Sequence, residues 1–120
     1  MTYALVFFET EADHALREGE EAGAYWGAWS RYIDLLADSN VMILGAGRGL
    51  EPPTTARTVR LRDGKRVVQD GPLPDTKEQL AGIVLIEVED LSAALHWAEQ
   101  APCASTGGVE VRPVLAPPSA

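Results

Sequence analysis

The sequence predicts an α+β fold in which an inserted β-hairpin interrupts an alternation of strands and helices. Two segments, Tyr3 to Phe8 and Ile83 to Val88, are apolar on both faces of a strand, which is typical of central strands in a covered sheet. Each of these strands is followed by a stretch whose apolar residues have helical spacing. Asp63-Gly64 marks a tight turn between two short strands. Without the hairpin, the order of elements is βαββαβ, the ferredoxin-like plan, whose first and third core strands form the central pair.

Length and composition indicate one acidic domain. The 120 residues are 46% hydrophobic, and we expect residues 1–115 to form the domain and residues 116–120 a flexible tail. A formal net charge of −8 argues against nucleic acid as a partner, since phosphate binding needs a basic footprint. We expect neither a signal peptide nor a membrane span, and therefore a cytoplasmic protein with no membrane partner.

Cysteine and histidine usage gives no support for a metal centre. The single cysteine, Cys103, excludes a disulfide within the chain, and we interpret it as a packing residue near a helix end. His14 falls in a polar segment and His96 lies off the apolar stripe of its helix, so both are interpreted as solvated. We predict neither a metal nor a cofactor.

The first helix is predicted from about Ala24 to Ser39, after an acidic loop or helix lead-in from Glu9 to Gly23. Its apolar residues follow an i, i+4, i+7, i+8, i+11 spacing, which makes one buried stripe. Members of this stripe are Tyr25, Trp29, Tyr32, Ile33 and Leu36. Asn40 suits the helix end, because asparagine tolerates the left-handed backbone conformation.

A second strand, Val41 to Leu44, runs into three glycines, Gly45, Gly47 and Gly49. Their spacing is not that of a P-loop and no helix follows, so we predict no phosphate site. The glycines instead indicate a bulge or a close backbone approach. The hairpin strands come next, at residues 58–61 and 66–69.

The stretch from Asp70 to Gly82 is the least generic part of the chain. Its prolines and Gly71 predict an irregular turn, and the run from Thr76 to Gln79 has helical character. After the strand that begins at Ile83, Asp90 is a good N-cap for the second helix. The apolar stripe of that helix consists of Leu91, Ala94, Leu95 and Ala98. Residues 109–114 alternate between apolar and polar and form the last strand.

This architecture leaves one face of the sheet without a cover. Two helices can cover only one face, so the other would present apolar side chains to water. An exposed patch of that kind usually marks an interface. We therefore predict a homodimer that packs sheet against sheet with two-fold symmetry, forming a dimeric α+β barrel.

The motifs resemble those of a known family. Asp70-Gly71-Pro72, followed by residues 76–80 and Gly82, is similar to the signature of the YCII-related proteins of the DGPF branch. The Asp63-Gly64 hairpin and the end of the last strand extend the resemblance over about residues 3–114. It implies a dimeric α+β barrel of ferredoxin-like protomers. Related branches include enzymes acting on small lactone-like or dehalogenation substrates, and accessory proteins encoded beside extracytoplasmic-function sigma factors.

Two departures from the family pattern bear on chemistry. Leu73 stands where the motif has phenylalanine, a tolerable apolar exchange. The classical YciI branch carries a histidine on its first helix, which pairs with an aspartate. The helix here has none, which argues against a His–Asp mechanism.

The candidate polar cluster lies around the motif and on the last strand. Asp70 is the candidate catalytic acid or base, and the candidate ligand-binding residues are Arg60, Lys77, Glu78, Glu110 and Arg112. A structural reading is also open, in which Asp70 bonds its own turn, Lys77 and Glu78 are ordinary surface residues, and Glu110 and Arg112 form a cross-strand ion pair that locks register.

Three functional hypotheses follow. The chain is a small-molecule binding domain, with or without catalysis, that takes a polar or anionic metabolite near the dimer seam. Alternatively it is a non-catalytic regulatory or accessory dimer of an extracytoplasmic-function sigma-factor system. In the third, it is a scaffold in which the motif only shapes the turn.

Overall fold

The computed structural model describes residues 1–74 and 76–116 and, for Leu44 and Ala46, the backbone alone. Most of the predicted tail, from residue 117 onward, lies outside the described residues. The strands are β1 (Thr2–Thr10), β2 (Met42–Gly49), β3 (Arg57–Arg62), β4 (Lys65–Asp70), β5 (Glu78–Glu87) and β6 (Gly108–Pro113). The helices are α1 (Glu11–Ala15), α2 (Ala22–Asp38) and α3 (Leu91–Ala98), and a short 3₁₀ turn covers Pro53–Thr55.

The ferredoxin-like prediction is confirmed for the protomer. Four strands form one antiparallel sheet in the order β2-β5-β1-β6, so the first and third core strands are the central pair. The inserted hairpin, β3 and β4, forms a separate two-stranded sheet. Its turn has positive φ at both Asp63 (52°) and Gly64 (73°), the conformation of the tight hairpin turn that the sequence predicts.

The core lies between the sheet and the helices. Alternate residues of β1 point inward, so Tyr3, Leu5 and Phe7 are buried. The predicted stripe of α2 packs on them: Tyr32 and Leu36 are buried, and Phe7 makes an edge-on contact with Trp29 at 5.0 Å between ring centroids.

The ends of α2 agree closely with the sequence. The helix begins two residues before the predicted start, and Asn40 just beyond its end has a φ of 60°. Asparagine accepts this left-handed conformation more readily than most residues, because its short side chain can bond the local backbone. The chain can then turn directly into β2.

Glycines allow the backbones of β2 and β5 to approach each other closely, as predicted. The register between the two strands shifts between Met42 and Gly47, which is the expected bulge. A Cβ on Gly47 would lie 3.0 Å from Cγ2 of Val84, and one on Gly82 would lie 2.9 Å from the carbonyl oxygen of Arg48. Side chains at these two glycines would push the strands apart.

Three expectations from the sequence are corrected. The run Thr76 to Gln79 is not helical, because β5 begins at Glu78 and pairs there with Thr10. Strand pairing overrides local propensity at this point. Glu9 belongs to β1 rather than to a loop, and α1 follows at once with a capping box on Thr10. His14, expected to be solvated, is buried on α1, whereas His96 is exposed as expected.

The helices leave the other face of the four-stranded sheet open, as predicted. We call this the open face. Its apolar residues are Ala4, Val6, Phe8, Ile43, Leu80, Ile83 and Leu85, and all are partly or largely exposed.

Among the described residues, no helix has the length and apolar character needed to cross a lipid bilayer.

Candidate functional site

A carboxylate is buried where β1 meets the first two helices. Glu9 is 1% exposed and is the last inward-pointing residue of β1. The hydroxyl of Tyr25 donates to its two oxygens at 2.7 and 2.6 Å, and Nη2 of Arg17 donates at 3.1 Å. A buried carboxylate is costly unless it is paired and hydrogen-bonded, and both conditions are met here.

Arg17 connects the elements around this carboxylate. Besides Glu9, its guanidinium donates to the hydroxyl of Tyr25 (3.0 Å) and to the carbonyl of Leu50 at the end of β2 (2.6 Å). Its cation also lies 5.4 Å from the ring centroid of Trp26. Arg17 therefore ties the β1 end, the start of α2 and the β2 end into one cluster.

The environment keeps the Tyr25 phenol protonated. Burial and the hydrogen bond to Glu9 raise the pKa of Tyr25 to about 12. Its only hydrogen points to Glu9, while its oxygen accepts from Arg17. The phenol oxygen keeps one further lone pair for another donor.

His14 lies close to the same carboxylate. Its Nδ1 is 3.4 Å from the carbonyl oxygen of Thr10 and 3.7 Å from Oε1 of Glu9, the latter too long for a hydrogen bond. Its Nε2 is buried and has no hydrogen-bond partner among the described residues. The Cys103 thiol is also buried nearby; burial, followed by the charge of Glu9, raises its pKa to about 12.

A cavity of about 450 Å³ opens beside the cluster, between α2 and the β2–β5 edge of the sheet. Its walls are aromatic on the helix side, and its floor is bare because the facing strands carry glycines. Arg17 and the Tyr25 side chain close one end, and Arg48 is the second cation in the wall. The remaining lining includes one carboxylate, Asp34, together with Phe7, Trp26, Trp29, Ser30, Ile33, Gly47 and Gly82. The indole N–H of Trp29 is buried without an acceptor among the described residues.

A second, wider groove adjoins this cavity and shares Arg17, Trp26 and Gly49 with it. The groove has a volume of about 730 Å³. Its walls combine carboxylates with apolar residues: Glu11, Glu18 and Glu51 with Leu50, Pro52 and Pro53. We call it the acidic groove.

The six site residues predicted from the sequence lie elsewhere. Asp70 ends β4, is 91% exposed, and pairs with its cross-strand neighbour Arg57 at 3.2 Å instead of bonding its own turn. Arg60 lies on β3, and Lys77 and Glu78 are exposed at the start of β5. None of the six lines the cavity or the acidic groove.

Glu110 and Arg112 form an ion pair, but it is not the cross-strand pair that the structural reading predicted. Nε of Arg112 lies 3.1 Å from Oε1 of Glu110, and both side chains are largely exposed. The pair lies within one strand, because the residues opposite them on β1 are Val6 and Ala4. Among the described residues, neither ion pair joins the motif to the last strand, and the roles assigned to the six residues stay predictions.

The residues that do converge were missed by the sequence reasoning, although one signal was available. Extending the alternation of β1 by one step puts Glu9 on the inward face with Tyr3, Leu5 and Phe7. A carboxylate at an inward strand position requires a buried partner. The identity of that partner had no comparable signal in the sequence.

The fold and this site define an α+β protein of the ferredoxin-like class with an open cavity large enough for a small molecule. The profile of the YCII-related domain matches residues 1–116, and the chain belongs to that family.

Two similar proteins carry further information. An uncharacterised protein of Rhizobium meliloti (strain 1021) is 45% identical over 73 residues, which span 59% of this chain and 59% of that protein. The chain thus matches about three fifths of the length of that curated relative. The structure of a 5-chloro-2-hydroxyhydroquinone dehydrochlorinase (TftG) from Burkholderia phenoliruptrix AC1100, in complex with 2,5-dihydroxybenzoquinone, is similar with a TM-score of 0.53. The likeness covers 96% of this chain and 94% of that one at 13% identity, and it shows a shared fold.

Proposed function

We propose that this protein is a homodimer of the DGPF branch that binds a small, flat, anionic metabolite in the cavity beside α2. The observation that carries the proposal is the composition of the cavity: aromatic walls, a glycine floor, and a closed end formed by Arg17 and Tyr25. Ligand sites of this size are typically apolar with a few convergent polar groups, which is the arrangement here.

The lining favours an oxygen-bearing planar ligand. Aromatic rings stack favourably on flat ligands, and Arg48 supplies a cation whose guanidinium can pair with an anionic oxygen. The similar dehydrochlorinase structure holds 2,5-dihydroxybenzoquinone, a planar molecule with acidic hydroxyl groups. That compound is therefore a suitable probe.

The cluster behind the cavity suits proton transfer. A ligand hydroxyl that reaches the phenol oxygen of Tyr25 can give it a proton while Tyr25 passes its own proton to Glu9. The ligand then carries the negative charge and Glu9 becomes a carboxylic acid, so the proton count balances. Arg17, which contacts both Tyr25 and Glu9, holds the relay in place.

The cavity is not on the open face. Its walls come from α2, from Phe7 of β1 and from the β2–β5 edge of the sheet, so one protomer supplies the lining that we describe. The homodimer is supported separately, by the apolar residues of the open face. Light scattering should give twice the mass of one chain, and a mass of one chain would contradict the homodimer.

Titration calorimetry with 2,5-dihydroxybenzoquinone tests the cavity. We expect one molecule bound per protomer, and at least about tenfold weaker binding, 1.4 kcal/mol, in Ser30→Trp, which fills the cavity, and in Arg48→Ala. The matched controls, Ser92→Trp on α3 and Arg31→Ala on α2, should bind like the wild type because neither residue lines the cavity. Failure of the wild type to bind at about 1 mM would contradict the proposal.

The same titration separates this site from the one predicted around the motif. Asp70→Asn and Arg60→Ala should leave binding unchanged if the cavity holds the ligand. Loss of binding in these two variants, with Ser30→Trp unaffected, would instead place the site at the hairpin and its following turn.

A further inference from the structure

The β3–β4 hairpin is an arm that projects from the protomer. Its strands pair with each other and with no other described strand. At its base, the amide of Gly71 donates to the carbonyl of Ala56 (2.9 Å), and the hydroxyl of Thr58 donates to the carbonyl of Gly71 (2.8 Å). Consistent with a projecting element, the radius of gyration is 16.2 Å, against about 14 Å for a compact chain of this length.

One side of this arm carries three exposed apolar residues, with Arg66 on the same side opposite Leu61. Val59 and Val68 are directly opposite each other, and Leu61 lies on the same side two residues further along. Their exposed fractions are 60%, 53% and 68%. A two-stranded hairpin with its apolar side in water is marginally stable, which indicates that another surface covers it.

The arm is also the basic part of an acidic chain. Residues 57–70 carry five cations and two carboxylates, a net charge of +3. The other 106 residues carry five cations and sixteen carboxylates, a net charge of −11. A second copy of this chain therefore offers the arm a surface of opposite charge.

The acidic groove matches the arm in both respects. Three carboxylates on its walls, those of Glu11, Glu18 and Glu51, complement the cations of the arm. Its apolar wall, formed by Leu50, Pro52 and Pro53, complements the apolar side of the arm. A groove of about 730 Å³ has room for several side chains.

We propose that the arms are exchanged in the homodimer, with the arm of each protomer lying in the acidic groove of its partner. This inference rests on the homodimer of the proposed function. Because the groove shares Arg17, Trp26 and Gly49 with the ligand cavity, the partner's arm covers the mouth of that cavity. The ligand site is then completed at the seam between protomers.

Sedimentation equilibrium of the full chain tests the exchange. Arg62→Glu/Arg66→Glu and Leu61→Ser/Val68→Ser should each raise the dimer dissociation constant at least about tenfold. Arg31→Glu and Leu95→Ser are the matched controls, an exposed cation on α2 and a half-exposed leucine on α3, and should change it less than about twofold. Near-UV circular dichroism verifies that the core of each variant is intact.

A charge exchange locates the acceptor surface. Glu18→Lys/Glu51→Lys alone should weaken the dimer, and combining it with Arg62→Glu/Arg66→Glu should restore at least half of the lost association free energy. Raising sodium chloride from about 50 to about 500 mM should weaken the wild-type dimer more than the dimer of Arg62→Glu/Arg66→Glu.

The outcomes separate this inference from the proposed function. A monomeric wild type would overturn both the homodimer and the exchange. A dimer that the arm variants leave intact would overturn the exchange alone, and so would weakening by the arm variants without recovery in the charge exchange, since the arm would then contact another surface.

Discussion

The buried ion pair offers a sharp test, because the chain contains an exposed pair with the same chemistry and distance. Glu9 and Arg17 are 3.1 Å apart with side chains 2% and 11% exposed. Glu110 and Arg112 are also 3.1 Å apart, but with side chains 49% and 70% exposed. The substitutions Glu9→Gln and Glu110→Gln therefore differ mainly in burial.

The expected costs differ severalfold. Glu9→Gln leaves the guanidinium of Arg17 buried without its counter-charge, and in either orientation the new amide N–H₂ replaces an oxygen within hydrogen-bond distance of the Tyr25 hydroxyl. Breaking a buried pair in this way costs about 3 kcal/mol. Glu110→Gln removes a solvent-screened pair and should cost less than about 0.5 kcal/mol.

Urea unfolding followed by circular dichroism, at one fixed protein concentration, gives both free energies of unfolding. Tyr25→Phe is a useful third variant: it removes one hydrogen bond to Glu9 and should cost about 1.5 kcal/mol. A cost for Glu9→Gln within about 1 kcal/mol of that for Glu110→Gln would refute the reasoning, since burial would then contribute little to the cluster.

Three further predictions concern other parts of the fold. Because the pKa of Tyr25 rises from 10.0 to about 12 on folding, the unfolded chain loses this proton first as the pH increases. The stability advantage of the wild type over Tyr25→Phe, present below pH 10, should therefore shrink between pH 10 and 12 in urea titrations. The thiol of Cys103, buried and with its pKa raised to about 12, should resist iodoacetamide at about pH 8 in the native protein and react rapidly in urea; rapid native labelling would contradict its burial. Gly107→Ala should cost about 3 kcal/mol, since its Cβ would overlap the carbonyl of Phe8, whereas Gly108→Ala, with open space around it, should cost less than about 0.5 kcal/mol; equal melting temperatures would refute this.

The exposed charges near the start of the chain show that burial decides the role of a carboxylate more than the number of its hydrogen bonds does. Glu87 accepts hydrogen bonds from the terminal amine (2.8 Å) and from the hydroxyl of Thr2 (2.5 Å). These interactions lower the pKa of Glu87, but its side chain is more than half exposed. Such a pair fixes the start of β1 against β5 without the cost or the chemistry of the buried cluster around Glu9.

The sequence predicted the elements well where one local period governs a whole segment. The stripe of α2 emerged from the 3.6-residue period, the central strands from their two apolar faces, and the hairpin from Asp63-Gly64. Where a contact from elsewhere in the chain decides the conformation, local patterns failed. The start of β5 is the clear case, because pairing with Thr10 extends the strand through a run that is locally helical.

The candidate site could not be predicted from local sequence patterns, for a related reason. Glu9, Arg17 and Tyr25 come from a strand end, a turn and a helix start, and no periodicity links those positions. Asp70 begins the motif, yet its side chain is largely exposed and pairs with Arg57 on the adjacent strand.

By itself the sequence determined the order of strands and helices, their buried faces and the acidic character of the chain, since each depends on neighbours a few residues away. Tertiary structure alone decided which polar groups meet, because helix α2 and the glycines of β2 bring distant positions to one cavity. A carboxylate needs a hydrogen-bonding or cationic partner from the protein only where packing excludes water from it.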